Sequence, residues 1–133
     1  MITFSYDPSR RLRTAMYTGV VTDAELLASY ADLTARPDYD AGADDLVDLR
    51  QVDRLEISAE AMRHLIDLFQ PVDALGNPTR LAIVAASDFT YGMSRMYGML
   101  RGHNVPEEVQ VFRDADEAYA WLERSRGSRD ATV

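Results

Sequence analysis

Neither cysteine nor lysine occurs among the 133 residues, and tryptophan occurs once. Without cysteine the chain forms no disulfide, no thiol nucleophile and no thiolate metal site. No apolar run approaches the roughly 18 residues that a membrane-crossing helix needs. No leader-like segment precedes Ile2, so a cytoplasmic location is expected. Positive charge is scarce too: all 14 basic residues are Arg, against 22 acidic ones, for a net charge of −8. Such a chain gains nothing from counterion release on nucleic acid and is repelled by anionic lipid. Neither nucleic acid nor a membrane is therefore an expected partner, and the charge reads as a solubility device. Phosphate-cradling loops are missing as well. Gly92 and Gly98 stand too far apart for a dinucleotide fingerprint, and no Walker motif occurs.

What is present is a core-forming chain with 47% apolar residues, enough for one domain. The domain is expected over residues 1–124, with 125–133 a flexible tail without pattern. Its organising stretch is Arg80–Gly102. Leu81–Ala86 is an unbroken apolar run, which suits a strand covered on both faces. Ser87-Asp88 then offers side-chain oxygens to the orphan N–H groups of a helix start. Phe89, Met93, Met96, Tyr97 and Leu100 follow at helical spacing and predict the buried stripe.

Around that unit the chain alternates. Ile2–Tyr6 and Leu12–Val20 read as strands joined through Asp7-Pro8-Ser9-Arg10, a turn sequence. Thr22-Asp23-Ala24-Glu25 reads as a capping box opening a helix that carries Leu26, Leu27, Tyr30 and Leu33 on one face and stops before Arg36-Pro37. Leu46–Leu49 is a strand by its position. Ser58 caps a helix with Ala61, Met62, Leu65, Ile66 and Phe69 inward. Val109–Phe112 is the last strand, and a helix burying Ala115, Ala118, Tyr119 and Leu122 closes the domain. The order β-β-α-β-α-β-α-β-α implies an α/β fold with right-handed crossovers. The expected sheet has five strands, four parallel and the first an antiparallel edge, with four helices on it.

These elements resemble the STAS fold of bacterial anti-sigma-factor antagonists. More closely, the chain is similar to uncharacterised bacterial SpoIIAA-like (STAS/SEC14-domain) proteins. The residues that carry the likeness are Leu46-Val47-Asp48-Leu49-Arg50, then Ala82–Phe89 with Tyr91–Tyr97, and Val111–Asp114 with Glu117, Ala118, Trp121 and Leu122. The resemblance implies the fold over nearly the whole chain and brings no established activity. True STAS antagonists carry a phosphorylated Ser at a helix start, which corresponds here to Ser58. The surroundings depart from that pattern: Glu56-Ile57-Ser58-Ala59-Glu60 lacks the Ser pair and Gly, and two acids flank the hydroxyl. A plain helix cap is the better reading of Ser58.

Two candidate sites follow. Tyr91, Ser94, Arg95 and Gly98 are spaced to share a second face of the central helix, and Gly inside a helix costs about 1 kcal/mol relative to Ala. With Ser58 they form the candidate interaction surface for a protein partner or a second copy. The alternative is a pocket for a small hydrophobic ligand or lipid beside that helix, lined by Phe69, Met96, Tyr97 and Met99. Asp88 is read as a cap and not as an acid/base group. The acidic loop Asp38–Asp45 fails the calcium-loop template, since Gly42 at its sixth position would put Pro37 first. His64 and His103 have no metal-spaced partner, and no nucleophile elbow is present. No metal, no cofactor and no catalysis are expected; the leading reading is a non-enzymatic interaction or regulatory module.

Overall fold

The computed structural model describes residues 1–131. Its elements are β1 (Ile2–Asp7), β2 (Leu12–Tyr17), β3 (Gly19–Thr22), α1 (Asp23–Ala35), β4 (Asp44–Asp48), β5 (Val52–Glu56), α2 (Ala59–Leu68), α3 (Gln70–Asp73), β6 (Thr79–Val84), α4 (Asp88–Arg101), β7 (Glu107–Phe112) and α5 (Ala115–Ala131). The main sheet runs β1-β2-β4-β6-β7. Only β1 is antiparallel, paired with β2 from Ile2 opposite Tyr17 to Asp7 opposite Leu12. The remaining pairs, β2 with β4, β4 with β6 and β6 with β7, are parallel. The expected mixed sheet with its antiparallel edge is therefore the sheet that forms.

Strand order in one direction has a consequence for the helices. Right-handed crossovers between successive neighbours must all lie on the same face. α1, α2 and α4 accordingly pack on the face presenting Ala15, Tyr17, Val47, Leu81 and Ile83. The opposite face presents Leu12, Leu46, Ala82 and Val84, and α5 covers it with Ala118 and Leu122. β6 lies between β4 and β7 with Ala82, Ile83 and Val84 all buried, as an apolar run without alternation requires.

Four features differ from the sequence reading. The strand expected over Leu12–Val20 breaks after Tyr17, because Gly19 takes φ +66°, a left-handed conformation open to Gly. Beyond it β3 leaves the main sheet and pairs in parallel with β5, forming a separate two-stranded sheet. β5 was not anticipated: Val52-Asp53-Arg54-Leu55-Glu56 shows no alternation and buries only Leu55. There are five helices and not four, since α3 adds one turn with Pro71 in its first positions, where its missing N–H is no loss. α5 continues to Ala131, past the Arg124 boundary read from the sequence. Thr132 and Val133, the end of the segment read as a tail, lie outside the described residues.

The caps follow their chemistry. Thr22 Oγ1 accepts from Glu25 N at 3.3 Å, but the Glu25 carboxylate turns to the terminal amine of Met1 at 3.4 Å. Ser87 Oγ accepts from Thr90 N at 3.1 Å. Asp7 Oδ1 accepts from Ser9 N at 3.0 Å and closes the β1–β2 turn.

Leu46 is 2% exposed and Leu75 is 65% exposed. Leu46→Ala should cost about 2–5 kcal/mol in urea unfolding, and Leu75→Ala under about 0.5 kcal/mol. Equal costs would place Leu46 outside the packed core.

Candidate functional site

Between the α1/α2/α4 layer and the sheet lies a cavity of about 110 Å³, counted as the space open to the centres of water-sized spheres. A single water needs roughly 10–15 Å³ on that measure, so a small molecule has room. One part of the wall is apolar: Leu26, Leu55, Met62, Leu65, Phe69 and Ile83. The other part is polar, and it is built from side chains that the sheet and helices force inward.

Alternation along the strands places Arg13, Asp45, Thr79 and Glu107 on the same face as the core residues Ala15, Val47, Leu81 and Val109. Arg13 is 5% exposed. Its Nε donates to Asp45 Oδ1 at 2.7 Å and its Nη2 to Asp45 Oδ2 at 3.1 Å. The guanidinium also lies over the Tyr39 ring, 4.4 Å from its centre. At the far end of α4, Arg101 enters the cavity wall with its side chain 2% exposed. Its Nη1 and Nη2 donate to both Asp73 oxygens at 2.7 and 2.8 Å. Its Nε donates to Glu107 Oε1 at 3.2 Å. Tyr17 and Tyr30 share a hydroxyl hydrogen bond of 2.9 Å at the same wall.

Burial sets the electrostatics. Desolvation pushes the Glu107 carboxyl up to about 7, with Asp45 adding to the rise and the Arg101 pair only partly opposing it. Desolvation also raises Asp45, against the pull of Arg13. Burial works against the charge of Arg13, yet the Asp45 carboxylate outweighs it and its pKa rises. Tyr39 is pushed up to about 12, again chiefly by burial. Tyr97 is raised by burial and by the nearby Glu107.

The residues singled out from sequence fall differently. Phe69 and Tyr97 line the cavity. Met96 does not line it, and Met99 is 72% exposed on the outer face of α4. Ser94, read as part of an exposed contact surface, is buried and donates from its Oγ to Thr90 O at 2.7 Å. These corrections share one cause. The inward face of α4 is Thr90, Ser94, Tyr97 and Arg101. At 3.6 residues per turn that face is rotated about a quarter turn from the apolar stripe. Ser94 and Thr90 tolerate burial because backbone carbonyls of their own chain take their hydroxyls, and Arg101 because two carboxylates meet it. Phe89 is left 61% exposed.

Of the remaining surface residues, Arg95 is exposed, and Gly98 packs near Val109 of β7. The Tyr91 ring carries the Arg113 guanidinium 4.4 Å from its centre, and Arg113 also pairs with Asp88 at 2.9 Å. Ser58 stands apart from them, tied to α1. Its N–H and Oγ donate to the two oxygens of Asp23 at 2.8 and 2.7 Å, while its Oγ accepts from Ala61 N at 3.1 Å. A phosphate on Ser58 would displace that pair and meet Asp23, so the cap reading describes this hydroxyl. The polar residues of the cavity were missed in sequence. The only signal was Glu107 in the inward register of β7, two and four residues before Val109 and Val111.

Among the described residues no helix is long and apolar enough to cross a membrane, and no three His, Cys, Asp or Glu side chains gather as metal ligands. No protein-family model matches the chain. No curated protein matches it either. Among solved structures it is similar to an uncharacterised protein of the DUF3478 family from Shewanella loihica PV-4, described as having a SpoIIAA-like fold. The two share 19% sequence identity over 92% of each chain, with a TM-score of 0.55. The fold is therefore SpoIIAA-like, as the sequence resemblance implied.

Glu107 ties the site to stability. A carboxyl whose folded pKa exceeds its unfolded value stabilises the fold fully below about 4.5 and loses that contribution as pH rises through about 7. The chain should lose about 2 kcal/mol of stability between pH 5 and 8. Urea midpoints across that range should fall in the parent and stay nearly level in Glu107→Gln. Parallel profiles would refute the raised carboxyl.

Proposed function

We propose that this protein is a non-enzymatic, cytoplasmic binding module that holds a small amphipathic molecule in the cavity beneath α2 and α4, with residues 1–124 as its single domain. The observation that carries this reading is the division of the cavity wall. Aliphatic and aromatic side chains line one part, and two buried guanidiniums with three carboxylates line the other. Ligand pockets are typically apolar enclosures with a few placed polar groups, and a core built for stability alone rarely buries so many charges. Arg13 with Asp45 and Arg101 with Asp73 form closed pairs, which suits binding and orientation more than acid/base work. The cavity takes over from the pocket read in sequence, with Met62 and Met93 in place of Met96 and Met99.

A second reading concerns the outer face of α4. Phe89 and Met99 are 61% and 72% exposed, and the exposed Arg95 lies between them along the helix. Exposed large apolar residues grouped on one face commonly mark a contact with another protein. Because the inner face of the same helix lines the cavity, a partner docked there would sense occupancy.

Native mass spectrometry of protein purified from its own cells should show a retained small molecule that leaves on denaturation. Ala41→Trp, at a half-buried lining position, should fold normally and lose that mass. Parent protein that carries no added mass, and whose melting temperature no small apolar amphiphile raises, would overturn the pocket. For the outer face, Phe89→Glu with Met99→Glu should abolish any cross-linked partner from extract while leaving the retained mass in place.

A further inference from the structure

The charges that line the cavity do not balance, and the imbalance identifies a ligand class. Arg13 has a complete counter-ion in Asp45, held through both oxygens at 2.7 and 3.1 Å. Arg101 has one in Asp73, again through both oxygens, at 2.7 and 2.8 Å. Glu107 is the surplus carboxylate. It receives a single hydrogen bond, from Arg101 Nε to Oε1 at 3.2 Å, and among the described residues none reaches its Oε2. Its side chain is 17% exposed, on the cavity wall. Ring-bearing side chains stand around the same space: Tyr17, Tyr30, Tyr39, Phe69 and Tyr97.

An uncompensated carboxylate in a poorly hydrated site demands a positive partner. Aromatic faces attract a cation and also accept the hydrocarbon that surrounds it. An anion would find both guanidiniums already engaged and three carboxylates nearby. A neutral ligand would leave the surplus charge unanswered. Resting on the pocket reading above, we propose that the cavity takes a small hydrophobic ammonium ion, its nitrogen against Glu107 and its apolar body against Met62, Leu65 and Phe69.

In the free protein a proton stands in for that cation. The groups facing Glu107 are Asp45 from β4, Asp73 from α3, Arg101 and Tyr97 from α4, and Tyr39 from the loop before β4. Desolvation and the two aspartates hold its carboxyl at about 7 against the pull of Arg101. Below that pH an incoming ammonium must first expel the proton. Affinity therefore rises with pH, roughly tenfold from pH 6 to pH 8, and binding near neutrality releases a proton.

Three probes of one shape separate the classes: phenethylamine, 2-phenylethanol and phenylacetate, titrated calorimetrically into the full chain. At pH 8 the amine should bind at least roughly tenfold more tightly than either counterpart, the usual worth of a buried charge-assisted contact. At pH 6 that advantage should largely vanish, and buffers of different ionisation enthalpy should report the released proton. Glu107→Gln, which keeps the Arg101–Asp73 pair, should bind amine and alcohol within about twofold of each other. Glu107→Asp should keep the preference and guards against a folding defect in the amide variant. Equal or tighter binding of the alcohol or the acid, an amine preference that survives Glu107→Gln, or silence from all three probes would overturn the ammonium assignment. The pocket itself stands or falls separately, on the retained mass and the wider amphiphile screen.

Discussion

The structure depends on how one guanidinium is buried. Arg101 stands at the last turn of α4 with its side chain 2% exposed, and a bare charge there would be strongly destabilising. Asp73 from α3 and Glu107 from β7 make the burial tolerable. The network therefore ties the turn after α2, 28 residues away in sequence, to the end of the central helix and the start of the final strand. Ion pairs of this kind contribute little net stability compared with apolar packing of the same volume, but removing one partner is costly because it strands the other. The network is thus a positional constraint more than a source of stability. It fixes the angle at which α4 crosses the sheet, and with it the side of the helix that meets the cavity.

Much of the architecture was legible because it rests on signals with a single physical reading. Leu81–Ala86 could be little other than an interior strand, and β6 occupies Thr79–Val84 between β4 and β7. Ser58 and Ser87 mark helix starts because few residues serve an orphan N–H so well, and both do so here. The parallel sheet with its antiparallel edge followed from the alternation of elements and the handedness of crossovers. What escaped was whatever depended on tertiary context. β5 has a partner only because Gly19 diverts the preceding strand, and no local pattern announces that pairing.

The orientation of α4 escaped for a more instructive reason. Hydrophobic periodicity assumes that apolar residues face inward, which holds where the interior is dry and neutral. Here the interior carries charge. Tyr97 and Arg101 turn inward to the polar wall, and Phe89 and Met99 are displaced to solvent. The departure from the sequence pattern thus falls at the candidate site itself. The similar solved structure, at 19% identity, accounts for the scaffold and leaves the contents of the cavity to this chain's own residues.

The placement of the aromatic residues has a practical corollary for spectroscopy. Trp121 packs on the α5 side of the sheet, its ring centre 5.6 Å from that of Phe112 and 4.9 Å from the Arg80 guanidinium. Tyr17, Tyr30, Tyr39 and Tyr97 all border the cavity on the other side. The single indole thus lies across the sheet from those four phenols, with Tyr119 on its own side, so indole emission reports the docking of the terminal helix. An unmodified sample therefore carries one optical channel that belongs to the α5 half of the molecule.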